Sequence, residues 1–310
     1  MGRGAGSGAR PYECSGRRAV SGTATRALTA AVLIPLVVAA VWWGSSALVA
    51  TLLAVITVMT LREVFATLDP SGSNAGLIWA GLGSVAVVHS QWALAGRLSP
   101  GIEPDWWAPW WPELRTLPLE LVLTFYLLGV AVILFLPAKN GTERRFLDVA
   151  TASAVAMLFV ALPLSYLVRL HAIEGIGPKL VLFVLAVVWA GDSAAYFAGR
   201  SFGRRPLAPA ISPRKTWEGA IANLAGSVAV ALVFSRWLRL PAPPMYLVNA
   251  ALLVSVVGQL GDLFESALKR GAGVKDSGSL LPGHGGIWDR IDALIFAAPV
   301  VWWYFSLMRF

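Results

Sequence analysis

Cysteine is almost missing from this chain. Cys14 is the only one in 310 residues, which excludes an internal disulfide and any cysteine-based metal site. Charge is scarce as well: Asp, Glu, Lys and Arg make up 14% of the sequence, against about 25% in a soluble domain. No internal repeat stands out, which weakens the case for a transporter built from inverted repeats. A soluble fold is therefore excluded.

Apolar residues are abundant. They account for 57% of the chain, and the mean hydropathy is +0.67. Apolar runs of roughly 17 to 23 residues recur from Ala27 onward, the length a bilayer requires. The pattern predicts an all-α, polytopic integral membrane protein with about nine transmembrane helices, near 27–44, 46–64, 76–95, 119–136, 148–169, 180–198, 217–235, 246–265 and 291–308. The second is the least clean, because Arg62 and Glu63 stand at its end. Residues 1–26 are rich in Gly, Ser, Ala and Arg and read as a disordered basic arm. The first apolar run is of spanning length, so a cleaved signal peptide is not expected.

Orientation follows from the basic residues. With nine spans, 18 of the 25 Lys and Arg fall on the side of the amino terminus, which places that side in the cytoplasm. The net charge of +8 is spread between apolar segments. Anionic lipid head groups or phosphate-bearing substrates match that spread better than nucleic acid does. The outer segment "PDWWAPWWPEL" suits the head-group layer, where tryptophan concentrates.

The acids carry the functional information. Asp192 lies about two turns before the inner end of span six, Asp262 and Glu265 at the inner end of span eight, and Asp289 and Asp292 at the inner start of span nine. A charge at mid-membrane depth costs about 2.5–3.5 kcal/mol, less near the interface. Two carboxylates about 4 Å apart repel by roughly 4 kcal/mol at an effective dielectric near 20. Such a cluster needs protons, Lys or Arg partners, or a cation, and an all-oxygen set suits Mg²⁺. Other roles fit single residues: Asp289 as a helix cap, Asp262 as a partner of Lys269 or Arg270, Asp192 as a proton relay. Only their joint placement favours a cation.

Phosphate-binding features surround the acids. The segment "PGHGG" offers Gly285 and Gly286, whose amides can approach an anion closely, together with His284. The loop "GRSFGRRPLAPAISPRKTWEG" gathers Arg200, Arg204, Arg205, Arg214 and Lys215. Within it, Ser212-Pro213 reads as an N-cap followed by a first-turn proline, aiming a helix N-terminus and Lys215 at the same region. Gly219, Asn223 and Ser227 then recur at four-residue steps suited to close helix packing. These features predict metal-assisted phosphoryl or nucleotidyl transfer at the inner membrane surface.

The stretch "SALKRGAGVKDSGSLLPGHGGIWDRID", Ser266 to Asp292, resembles the signature of the phosphatidate cytidylyltransferases (CDP-diacylglycerol synthases). The upstream "GDSAAYFAGRSFGRRPLAPAISPRKTWEG" is similar to the family's other segment, departing from it at Gly191, Ser193 and Ala194. The likeness covers about residues 180–310, so a division follows into the arm 1–26, an N-terminal set of spans 27–170 and a catalytic region 171–310.

The resemblance implies that CTP and phosphatidate give CDP-diacylglycerol and pyrophosphate with Mg²⁺, and a second, monovalent cation is left open. It implies a metal centre held by Asp262 and Asp289; Asp292, Asp192 and His284 are assigned supporting catalytic roles from their placement beside it. The candidates for binding these substrates are Ser212, Lys215, Lys269, Arg270, Lys275, Asp276, Gly285, Gly286 and Arg290. Expected partners are CTP, phosphatidate in the membrane and the surrounding lipids, with a homodimer left open and no nucleic acid. The expected location is a bacterial inner or plasma membrane. A CTP-using kinase of lipid alcohols and an ion-coupled transporter are the alternatives.

Overall fold

The computed structural model describes residues 22–69, 72–98, 118–135, 142–238, 243–278, 280 and 285–307. The Trp-rich segment, His284 and the first 21 residues of the basic arm lie outside these described residues. Among them the chain forms α1 (Gly22–Trp43), α2 (Ser46–Leu68), α3 (Asn74–Leu98), α4 (Leu119–Phe135), α5 (Thr142–Ala154), α6 (Leu162–His171), α7 (Gly177–Phe202), α8 (Trp217–Leu238), α9 (Met245–Gly271) and α10 (Trp288–Leu307). A π-helical turn, Val155–Ala161, joins α5 to α6, so these form one continuous rod.

Each predicted span finds its helix, and the protein is an integral membrane protein. Seven of the rods are long and apolar enough to cross a bilayer, and α1 and α4 carry shorter apolar stretches. Helix α1 starts at Gly22 and so takes in the last residues of the predicted arm. Large apolar side chains such as Leu127, Val132, Ile221 and Val233 face outward. Lipid is as apolar as the core, so such faces need no protein cover.

Small residues set how closely the rods approach. The row Gly219, Asn223, Ser227 on α8 faces α7, where it meets Gly199, Ala195 and Gly191. This is the packing the four-residue spacing predicted. On α9, Gly258 lies against Ala293 and Gly261 against the Asp292 backbone and the Phe296 ring. Side chains there would push α9 and α10 apart, and with them the acids they carry.

The π turn has a local cause. Pro163 has no amide hydrogen, and its ring crowds the carbonyl one turn back. The register slips by one residue, and the Leu162 amide donates to the Met157 carbonyl. This turns Phe159 towards Phe264, at a centroid distance of 4.6 Å, while Phe264 lies 5.6 Å from Phe296. The three rings line one small cavity with Gly261, Glu265 and Asp292.

One prediction fails between α7 and α8. Ser212 is not an N-cap: Ser212–Thr216 is a strand, β2, paired antiparallel with β1, Pro206–Ala208. The backbone of Ser212 is committed to the ladder opposite Ala208. Helix α8 begins at Trp217, and Thr216 Oγ1 caps it by accepting the Gly219 amide at 3.1 Å. Glu218 secures the base of the hairpin by accepting the amides of Arg204 and Arg205.

Candidate active site

Helices α9 and α10 bring three carboxylates together. One oxygen from each of Asp262, Glu265 and Asp292 lies within 4.8 Å of the other two. Asp262 and Glu265 are three residues apart on α9, which puts them on one face, and Asp292 opposes them from the second turn of α10. Uncompensated, three such charges would drive the helices apart.

Two lysines supply compensation. Lys215, on β2, reaches Asp262 Oδ2 at 2.7 Å. Lys269, one turn beyond Glu265 on α9, lies 3.0 Å from Glu265 Oε1 and 2.6 Å from Asp289 Oδ1. The Lys215–Asp262 pair is partly open to solvent, whereas Glu265 and Lys269 are buried at 2% and 7% exposure. Loss of one partner from a buried pair leaves the other charge uncompensated.

Asp289 sits beside the trio rather than in it. Besides Lys269 it accepts the Gly286 amide at 3.0 Å and the Ser277 amide at 3.3 Å. Its carboxylate thus ties the loop between α9 and α10 to both helices. Gly285 turns this loop at φ 85°, a conformation that favours glycine. The oxygen set best placed for a cation is therefore Asp262, Glu265 and Asp292, with Asp289 coupled to it through Lys269.

A second polar group lies deeper between α7, α8 and α9. Asn223 donates to Asp192 Oδ1 at 3.3 Å and accepts from Ser255 Oγ at 2.5 Å, while Gln259 donates to Ser255 at 3.3 Å. Inside a membrane such groups must satisfy one another.

The remaining predicted residues fall at the rim. Arg270 donates to the carbonyls of Val274 and Ile211, joining the end of α9 to the hairpin that carries Ser212 and Lys215. Lys275, Asp276 and Arg290 are exposed.

Sequence reasoning missed Glu63. It reaches across from α2, buried at 4% exposure, to accept the Ile287 and Trp288 amides and the Ser277 hydroxyl, each at 2.9 Å. The signal was an acid at the end of an apolar span, read only as an untidy boundary. Asn223, Ser255 and Gln259 are ordinary small polar residues whose convergence no spacing along the chain announces.

A model described as the cytidylyltransferase family matches residues 24–308, nearly the whole chain. The chain belongs to this family. Among its relatives, a phosphatidate cytidylyltransferase of Bacillus subtilis is 41% identical over 178 residues, 57% of this chain and 66% of the relative. One of Brucella suis is 42% identical over 185 residues, covering 59% of this chain and 64% of the relative. One of Thermotoga maritima is 36% identical over 206 residues, covering 64% and 72%. The chain spans just under two thirds of the length of the first two. The family match begins at residue 24, so it takes in the N-terminal helices as well as the signature loop, and Glu63 falls inside it.

Proposed function

We propose that this chain is a phosphatidate cytidylyltransferase, with its amino terminus and its site on the cytoplasmic face of a bacterial inner or plasma membrane. The observation that carries the reading is the meeting of Asp262, Glu265 and Asp292 under two lysines at helix ends. A phosphate in the head-group layer could reach that place without entering the apolar interior.

The donor set fits Mg²⁺: carboxylate oxygens alone, from two helices, with substrate phosphates and water to complete the shell. Asp262, Glu265 and Asp292 are the side chains that would hold it. When bound, Mg²⁺ supplies charge neutralisation at phosphoryl oxygens.

In the proposed reaction a phosphatidate oxygen attacks the α-phosphorus of CTP. A phosphorus–oxygen bond forms there, the bond to the β-phosphate bridge breaks, and pyrophosphate leaves with the electron pair. No protein nucleophile is needed, because the lipid phosphate is one. Lys215 offsets the charge of the two anionic reactants, while Lys269 and the Gly286 amide, both given to Asp289, hold the site's own carboxylates. Arg270 keeps the hairpin, and so Lys215, against the end of α9. Lys275 and Arg290, exposed at the rim, would meet phosphates on entry.

The test is purified protein in detergent with phosphatidate, Mg²⁺ and each nucleoside triphosphate in turn. Pyrophosphate and CDP-diacylglycerol from CTP alone are expected. CDP with a phosphorylated lipid alcohol would point to a kinase. Flux across sealed vesicles without nucleotide consumption would point to a transporter.

A further inference from the structure

We propose that Glu63 is a positioning residue, which holds the start of α10 and the preceding loop from the opposite half of the chain. The inference rests on the proposed cytidylyl transfer for its kinetic readout alone.

The first amides of a helix have no partner within it, and a nearby residue usually caps them with a side-chain oxygen. Helix α10 begins at Trp288, and the residue before it is Ile287, whose side chain has no acceptor. Glu63 takes the role from another helix. Its Oε1 accepts the Ile287 amide and its Oε2 accepts the Trp288 amide. A carboxylate there also faces the positive end of the helix dipole.

The third contact extends the hold. Ser277 donates its hydroxyl to Glu63 Oε2, while its own amide points at Asp289. One residue of the loop is thus fixed between two carboxylates. The partners of Glu63 among the described residues are one hydroxyl and two amides, so it is held by hydrogen bonds. The space is made to measure: a Cβ on Gly278 or Gly286 would be driven into the Glu63 carboxylate.

The consequence is geometric. Asp289 follows Trp288 directly, and Asp292 lies one turn further on the same helix. Both are set by where α10 starts and which way it points. Glu63 touches neither Lys269 nor the carboxylate trio; it acts through α10. A small shift of that helix would separate Asp292 from Asp262 and Glu265, and misplacement by about 1 Å can cost roughly 100-fold in rate.

The test uses full-length protein carrying Glu63→Gln. A glutamine keeps the volume but turns an NH₂ towards groups that are themselves donors. The variant is expected to fold and keep its detergent-solution size with a modestly lower thermal midpoint, and to lose about 10- to 100-fold in turnover per folded molecule, with a smaller change in KM for CTP. Hydrogen–deuterium exchange over residues 285–290 should be faster than in the parent. Glu63→Asp, which keeps the charge on a shorter arm, should recover part of the turnover. A role confined to folding would lower yield and midpoint and leave turnover per folded molecule unchanged.

Should Glu63→Gln fail to fold, Gly278→Ala decides. It leaves Glu63 in place and presses a methyl on its carboxylate, so the same loss and faster exchange are expected. Parental turnover together with parental exchange in the folded variant would overturn the inference. If the parent forms no CDP-lipid yet either variant speeds exchange, the positioning role stands and the activity reading falls.

Discussion

Lys215 Nζ lies 2.7 Å from Asp262 Oδ2, joining a short hairpin to the acid-bearing end of a long helix. The pair is partly exposed, at 25% and 36% for the two side chains, so its contribution to stability is small, about 0–1 kcal/mol. Its proposed value is to hold a positive charge where anionic substrates meet.

Lys215→Met is therefore expected to unfold at nearly the parental temperature and to lose about 100- to 1,000-fold in turnover, the usual cost of removing one preorganised donor. Thermal unfolding beside pyrophosphate release from the same preparation checks both. A large fall in midpoint with normal turnover would count against the assignment.

Lys269→Ala should do the reverse in stability. Its ammonium is buried between Glu265 and Asp289, and breaking a buried pair typically costs about 3–5 kcal/mol. The expected result is a clear drop in thermal midpoint along with loss of activity. The double variant Lys269→Ala with Glu265→Gln should recover part of the midpoint, because it removes one of the stranded charges.

The three aspartates Asp262, Asp289 and Asp292 should separate by metal dependence. Asp262→Asn and Asp292→Asn are expected to raise the Mg²⁺ concentration for half-maximal rate by about 10-fold or more, as each removes a proposed charged ligand. Asp289→Asn should abolish most CDP-lipid formation in protein that still inserts, with any residual rate showing the parental Mg²⁺ midpoint. A Mg²⁺ titration of each variant decides. If Asp289→Asn shifted the midpoint and Asp292→Asn did not, the ligand assignment would be reversed.

Gly261 tests the packing that brings the acids together. A Cβ there would meet the Asp292 carbonyl and the Phe296 ring. Gly261→Val is expected to destabilise by about 1–3 kcal/mol, the range for overpacking, and to lower activity even though no charged group changes. Parental stability and rate in this variant would show that α9 and α10 can separate without harm.

The sequence by itself determined a great deal here. Spans of bilayer length, their number and the small-residue face of α8 were all legible, because a membrane imposes length and composition on each segment separately, but that α7 is the helix packed on this face was not. The grouping of Asp192, Asp262, Asp289 and Asp292 at one end followed from counting spans. The hairpin was not legible, since Ser212-Pro213 carries the same local signal in a strand as before a helix, and pairing with Pro206–Ala208 decided between them. Tertiary structure alone decided which acids share one space and which lysine each one faces. It also decided that Glu63, more than two hundred positions before Ile287 and Trp288, caps their helix. Hydropathy is a property of a segment, whereas a carboxylate's partners depend on how several helices rotate and slide against one another.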